Sequence, residues 1–440
     1  MIKECTNIKL FLTLLKNNDL SDNPYLSYGY LSTYLEYNSI NKILIFICYG
    51  DKEQILGFIP LQKKNFYYTF VGHRASNYLG YICKDENMEE VHKEFTKYLI
   101  DKNKKIIINY YDINSNSMLF PLLNNDNNAS SIFLYNCPYV DIDISFENVF
   151  SSCITSSKKR SEIKKFVKKL NLVGKVEFIN IYDKETLLKY KLYINQIFKV
   201  HEDRFRDTFI PDEFCLYKNV EYYTSMINVL ADKKQIFLSL LLIDNIVVSF
   251  VYALNSSDIV IDWMPAFDPA FSKFNLGTAH MKMLLEYLCD QTNFKVFDFS
   301  KGDGEYKKRW STGVTENFMF IYKSHSTMQS NMIFSFLVKA NKFKCKLRNS
   351  GNLEKIKHFL VIKHNNYSNK QKNSKAESTK ILYINEEDKI DIDMKLITYK
   401  DIFNLSVAVR KEILDHLYNG EQCFAKYNND NTIIIIIKRK

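Results

Sequence analysis

A chain of 440 residues is longer than one ordinary core organises, so two or three domains are expected. Hydrophobic residues at 46%, charged residues at 25%, and only 12 Gly and 7 Pro are globular proportions and exclude a collagen-like or largely disordered chain. The net charge of +10 is mild for this length: it admits an anionic ligand and gives no reason to expect DNA as a partner. Nine Cys are scattered singly with no CxxC pair, which argues against a disulfide scaffold or a metal framework, and no metal is expected. The apolar stretch near the N-terminus is broken by charge, and no apolar run approaches the ~20 residues a bilayer demands, so a cytoplasmic location is expected.

In chain order, apolar spacing predicts a helix over Asn23 to Tyr37, then strands over Ile43 to Gly50, Ile55 to Gln62 and Phe66 to Gly72. A helix over Asn87 to Asp101 and a strand over Lys105 to Asp112 close this first unit. The second half repeats the order. Helical sequence from Lys184 to Phe205 precedes strands over Gln235 to Asp244, Asn245 to Asn255 and Asp258 to Phe267; a loop, a helix over Gly277 to Gln291 and a strand over Phe294 to Ser300 follow. Two β-β-β-α-β units predict tandem α+β domains, each a mixed sheet flanked by helices. A polar segment over 368–380 reads as a linker, and the tail over 381–440 as a small α/β extension. Its last run, TIIIIIKRK, must pair with other strands or invite aggregation.

Three stretches carry chemistry. In PAFSKFNLGTAHMKMLLEYL, a loop with Ser272, Lys273 and Asn275 leads to Gly277, Thr278 and Ala279 at a helix start, either an anion site on the free first-turn N–H groups or an ordinary strand-to-helix turn. In FDFSKGDGEYKKRW, Asp298 ends a strand ahead of Tyr306, Lys307 and Trp310. The segment lacks EF-hand ligand spacing, and Asp298 reads either as a general base beside a cleft or as a solvated strand end. In KVHEDRFRDTF, His201 and Arg204 share a helix face, either as a proton acceptor with its neighbour or as an exposed charged helix end.

The order SSKKRSEIKKFVKKL, KVHEDRFRDTF, LSLLLIDNIVVSFVYAL, WMPAFDPAFSKFNLGTAHMKMLLEYL, VFDFSKGDGEYKKRW resembles the GNAT-superfamily acetyltransferases associated with cellulose and exopolysaccharide biosynthesis, which are similar to Fem-type aminoacyl transferases in having tandem GNAT-like halves. NPYLSYGYL and ILGFIPLQ match the first half, and the resemblance covers about residues 20 to 325. It implies an N-terminal GNAT-like domain over 1–145 that does not bind CoA and a catalytic domain over 146–325; beyond it the sequence over 326–367 reads as a basic helical segment. It further implies acetyl-CoA or another acyl-CoA as co-substrate, its pyrophosphate on Ser272 to Ala279, although the fuller glycine pattern of the superfamily is absent here. By the same resemblance His201, Asp298 and Tyr306 are catalytic, and Arg204, Lys307, Trp310 and Trp263 bind substrate. The acceptor is then a small molecule or a glycan or cell-envelope precursor. A Fem-like enzyme would use aminoacyl-tRNA instead, and a non-catalytic GNAT-like protein would bind neither donor. The basic stretch MIFSFLVKANKFKCKLR either packs on the domain or makes a peripheral membrane contact. The tail is weakly similar to the opening of another GNAT domain.

Overall fold

Runs of Ile, Val, Phe and Tyr bounded by polar turns become strands because β-branched and aromatic side chains pack well on a pleated surface. The computed structural model describes residues 1–18, 20–40, 42–73, 76–206, 217–302, 304–349, 379–384, 395–427 and 433–438. The first half supplies β1 (Ile2–Cys5), β2 (Ile43–Tyr49), β3 (Ile55–Lys64), β4 (Tyr67–Phe70), β5 (Ile82–Cys83), β6 (Ile107–Asn114) and β7 (Ala129–Asp141). The second supplies β8 (Val176–Ile181), β9 (Ile236–Ile243), β10 (Ile246–Asn255), β11 (Ile259–Phe267), β12 (Val296–Asp298) and β13 (Gly313–Lys323).

These strands form one 13-stranded mixed sheet in the order β1-β2-β3-β4-β6-β13-β7-β12-β11-β10-β9-β8, with β5 on β3. The halves are joined by exchange. β13, the last strand of the second half, pairs with β6 of the first, and β7, the last strand of the first half, pairs with β12 of the second. β7 and β13 also pair with each other from Ala129↔Tyr322 to Tyr139↔Gly313. The main hydrophobic core accordingly includes Phe46, Phe58 and Ile108 together with Leu238, Phe250 and Ile261. The two expected sheets are therefore continuous, and the seam between halves is hydrogen-bonded backbone.

The C-terminal extension has its own four-stranded sheet, β14 (Thr379–Ile384), β15 (Lys395–Leu396), β16 (Gln422–Tyr427) and β17 (Ile433–Lys438), in the order β14-β17-β16-β15. The isoleucine-rich last run thus has a partner on each side. Of the expected linker, residues 368–378 lie outside the described residues. The extension docks on the second half through Tyr399, Ile413, Leu414 and Leu417, which share a core with Phe271, Phe274 and Leu276.

Candidate functional site

β11 and β12 run parallel but pair over only three residues, ending at Ile261↔Asp298. β11 continues to Phe267, whereas the chain after Asp298 turns away through Ser300 (φ 58) and Gly302 (φ 104). The sheet therefore splits at Ile261 and Asp298. Just beyond the split, the register between β10 and β11 shifts, with Ala253 opposite Asp262 and Tyr252 opposite Met264. Trp263 is the extra residue of this bulge, a device that re-aims side chains next to binding sites. Its ring stands 5.2 to 5.9 Å from those of Tyr25, Tyr30, Tyr223 and Tyr252.

Two carboxylates flank the split. Asp298, half-buried, accepts 2.7 Å from the Tyr78 hydroxyl and 2.6 Å from the Ser300 amide. Burial pushes its pKa up to about 6, against the opposing pull of these hydrogen bonds and of Lys307. Asp262 is 2% exposed, and neither carboxylate oxygen has a hydrogen-bond partner among the described residues. Burial, reinforced by the charge of Asp298 and opposed by Lys307, raises it to about 7. Lys307 Nζ donates to the carbonyls of Phe299 and Lys301 at 2.5 and 2.8 Å and so ties the turn after β12; burial lowers its pKa while the two carboxylates hold it up.

The first half completes the site. Asn77 donates 2.8 Å to Ser300 Oγ and 3.1 Å to the Tyr25 hydroxyl. Tyr78, whose amide donates to Asp112 at 3.3 Å, brings its hydroxyl to Asp298 from across the seam. Tyr78, Asp112 and Ser300 all have positive φ (53, 71 and 58), and such backbone strain in non-glycine residues gathers where function demands it. On the accessible side of Asp298 opens a cleft of about 1100 Å³. Its lining comes from both halves and is polar and apolar in about equal measure, the polar part including Asn114, Asn116, Ser117, Tyr139, Asp141 and Thr315.

Other expected site residues sit elsewhere. His201, buried in the helix Ile194–Phe205, lies 4.4 Å from the ring of Phe205 and 6.5 Å from that of Phe250. Phe250 pairs with Ala266, five residues along β11 from Ile261, so the strand position His201 packs against is on the order of 16 Å from the one that pairs with Asp298. Arg204 lies further still, its guanidinium 4.7 Å over Phe267, with burial pushing its pKa down. The structure does not bring this pair to Asp298. Trp310 is 1% exposed and stacks on Phe150 at 5.8 Å, so it is a core residue rather than a cleft wall. Tyr306 is 40% exposed, its ring 6.4 Å from that of Phe299.

The loop before the helix Leu276–Gln291 is built by two influences. Asn275 takes the left-handed conformation (φ 51, ψ 46), and its side chain accepts from Thr278 Oγ1 at 2.9 Å without capping the helix. Gly277 is small because a Cβ there would stand 3.1 Å from the Phe267 ring. Ser272 and Asn275 are exposed, Ala279 is buried, and Lys273 is paired with Asp415 of the C-terminal extension at 3.3 Å. Beneath the loop, Arg410 of the extension donates 2.7 Å to Asp203 and 3.1 Å to Asp268, and Tyr399 donates to Asp268. The extension thus clamps the helix bearing His201 to the loop bearing Ser272 and Lys273.

Residues 157–308 match the family model described as acetyltransferase (GNAT) domain. The second half therefore carries a GNAT acyltransferase domain, and the split between β11 and β12 lies inside it. Among solved structures, L-PGS from Bacillus licheniformis is similar over 75% of this chain and 96% of its own, at 11% identity and a TM-score of 0.46. FemX is similar over 73% of this chain and 97% of its own, at 12% identity and a TM-score of 0.48. A tandem GNAT protein from the clavulanic acid biosynthesis pathway is similar over 74% of this chain and all (100%) of its own, at 6% identity and a TM-score of 0.38. Among curated proteins none matches.

Asp262, Tyr78 and Asn77 were not singled out from the sequence. Asp262 had a signal, a carboxylate inside the otherwise apolar run DIVIDWMPAF. Tyr78 and Asn77 had none, because only the seam between halves brings them to Asp298. Among the described residues, no group of three or more His, Cys, Asp or Glu is placed to hold a metal.

Proposed function

We propose that the protein transfers an acyl group, acetyl in the simplest case, from acyl-CoA to an amine or hydroxyl of a polar acceptor held in the cleft between the halves. The observation that carries this reading is the split in the sheet at Ile261 and Asp298, with a tuned carboxylate on the wall of a large cleft. The residues fit a CoA donor. The helix Leu276–Gln291 starts without a side-chain cap, which leaves first-turn N–H groups for a phosphate, and Gly277 keeps side-chain bulk out of that start. Acyl-CoA supplies an activated thioester.

Asp298 is the residue we assign as proton acceptor. With a pKa pushed up to about 6 it is ionised near neutral pH yet more basic than an ordinary carboxylate, which suits general-base work. As the acceptor nitrogen or oxygen bonds to the thioester carbon, its proton passes to Asp298, the C–S bond breaks with its electron pair on sulfur, and CoA leaves as the thiolate, which then takes up the proton from Asp298 or water to become the thiol. In this reading, backbone N–H groups of β11 beyond the split would meet the developing oxyanion. Asn114, Asn116, Ser117 and Thr315 suit an acceptor rich in hydroxyl or amine groups, such as an amino sugar or a glycan or cell-envelope precursor. That chemistry is compatible with a place in surface-polysaccharide synthesis.

Thermal-shift and calorimetric titrations with acetyl-CoA, longer acyl-CoAs and tRNA test the donor. Stabilisation by a CoA thioester is expected. Stabilisation by tRNA alone would replace this reading with an aminoacyl transferase, and no response to any of them would leave a binding protein. Asp298→Asn is expected to lower turnover about 100-fold with CoA binding intact.

A further inference from the structure

The helix Met328–Asn349 has apolar residues on two opposite sides. Inward, Phe334, Leu337, Val338 and Cys345 pack with Ile132, Leu134 and Met319 of the central strands, and Arg348 donates to the Leu134 carbonyl. Outward, Met328, Met332, Phe336 and Phe343 are 82%, 64%, 64% and 63% exposed. At ~100° per residue these four fall within an arc of about 80°. Lys339 and Lys346 lie in the same arc and Lys342 about 40° outside it, and residues 328–349 include no Asp or Glu. Single exposed apolar residues are ordinary; four in one stripe along a helix already packed on its other side are a surface built for a partner.

We propose that this outward face binds the surface of an anionic lipid bilayer. Phe and Met would enter the boundary between headgroups and acyl chains, while the lysines lift their ammonium groups to the lipid phosphates. Both features are needed. Nucleic acid would use the lysines but leave the Phe and Met side chains in water. A second copy of this chain, packed helix to helix, would set one lysine-bearing face against another with no Asp or Glu from residues 328–349 to offset the charge. No described helix is long and apolar enough to cross a membrane, so the contact is one of lying on the surface. The inference does not depend on the reaction the cleft performs.

Flotation of the full chain with vesicles of phosphatidylcholine and phosphatidylglycerol, against vesicles of phosphatidylcholine alone, tests it. The chain is expected to float with the anionic vesicles only, and to be released by high salt. Replacing Lys339, Lys342 and Lys346 together with Gln should weaken partitioning about 100-fold, from roughly fivefold per lysine. Phe336→Ser with Phe343→Ser should abolish flotation while circular dichroism and thermal unfolding stay those of the parent, since neither side chain touches the core. The lysine variants, which are exposed, serve the test should the serine variant misfold. Failure to float with either vesicle, flotation indifferent to lipid charge, or sedimentation of a dimer that Phe336→Ser disperses would each overturn the proposal.

Discussion

Asp262→Asn is expected to make the protein more stable at alkaline pH and to leave a pH signature. The carboxyl sits almost fully buried, with neither oxygen hydrogen-bonded among the described residues, and its pKa rises from an ordinary 3.8 to about 7. Because the folded value is the higher one, the folded state holds the proton more tightly. The stability Asp262 contributes is thus fully present below about pH 4 and is lost as pH rises through about 7. Linkage puts the loss at roughly 1.7 kcal/mol at about pH 5 and roughly 4 kcal/mol at about pH 8.5. The amide isostere cannot ionise, so its stability relative to the parent should grow by about 2.5 kcal/mol between those pH values. Urea unfolding of both proteins at the two pH values measures this directly. Asp262 is still mostly protonated where Asp298 ionises, so the same change should leave the acid limb of the activity profile nearly in place. A stability difference that is flat with pH, or one that shrinks as pH rises, would refute the placement of an ionisable, unpaired Asp262 beside the split.

Other consequences are as direct. Arg410→Met strips Asp268 of its buried cation, while Asp203 keeps Lys199 and Arg206, and should cost about 3–5 kcal/mol in denaturant unfolding, part of it regained by adding Asp268→Asn. Tyr78→Phe removes a hydrogen bond that holds the pKa of Asp298 down, so the acid limb of kcat/KM should move to higher pH. Trp310→Ala empties a stacked core position and should lower stability by about 3–5 kcal/mol, with the KM for acceptor unchanged in the folded fraction.

Much of the fold was legible because strands announce themselves locally. The runs at Ile43, Ile55, Gln235, Asn245 and Asp258 appear within a few residues of where they were expected, since β-branched apolar runs between polar turns have few other stable forms. β7 and β13 were not read. ASSIFLYNCPYVD and GVTENFMFIYK mix polar and apolar residues on both faces, and their strand character comes from being sandwiched between other strands in the middle of a sheet. Missing them hid the exchange of strands, and with it the seam that delivers Tyr78 and Asn77.

The candidate site divides along the same line. Asp298 and Lys307 were legible because strand end, carboxylate, glycine turn and basic helix are contiguous in sequence. His201 and Trp310 were drawn toward Asp298 by order along the chain, and distance in space is what order cannot supply: a register of five residues on β11 separates the first, and stacking on Phe150 withdraws the second. The sequence by itself determined the strands, the helix start at Gly277 and the acidic strand end, because each depends on neighbours within a few positions. Only the tertiary structure decided that the two halves share one sheet, that a buried Asp262 stands beside Asp298, and that the C-terminal extension clamps the loop before Gly277. Those depend on desolvation and on contacts between residues up to two hundred or so positions apart, such as Tyr78 with Asp298 and Arg410 with Asp203.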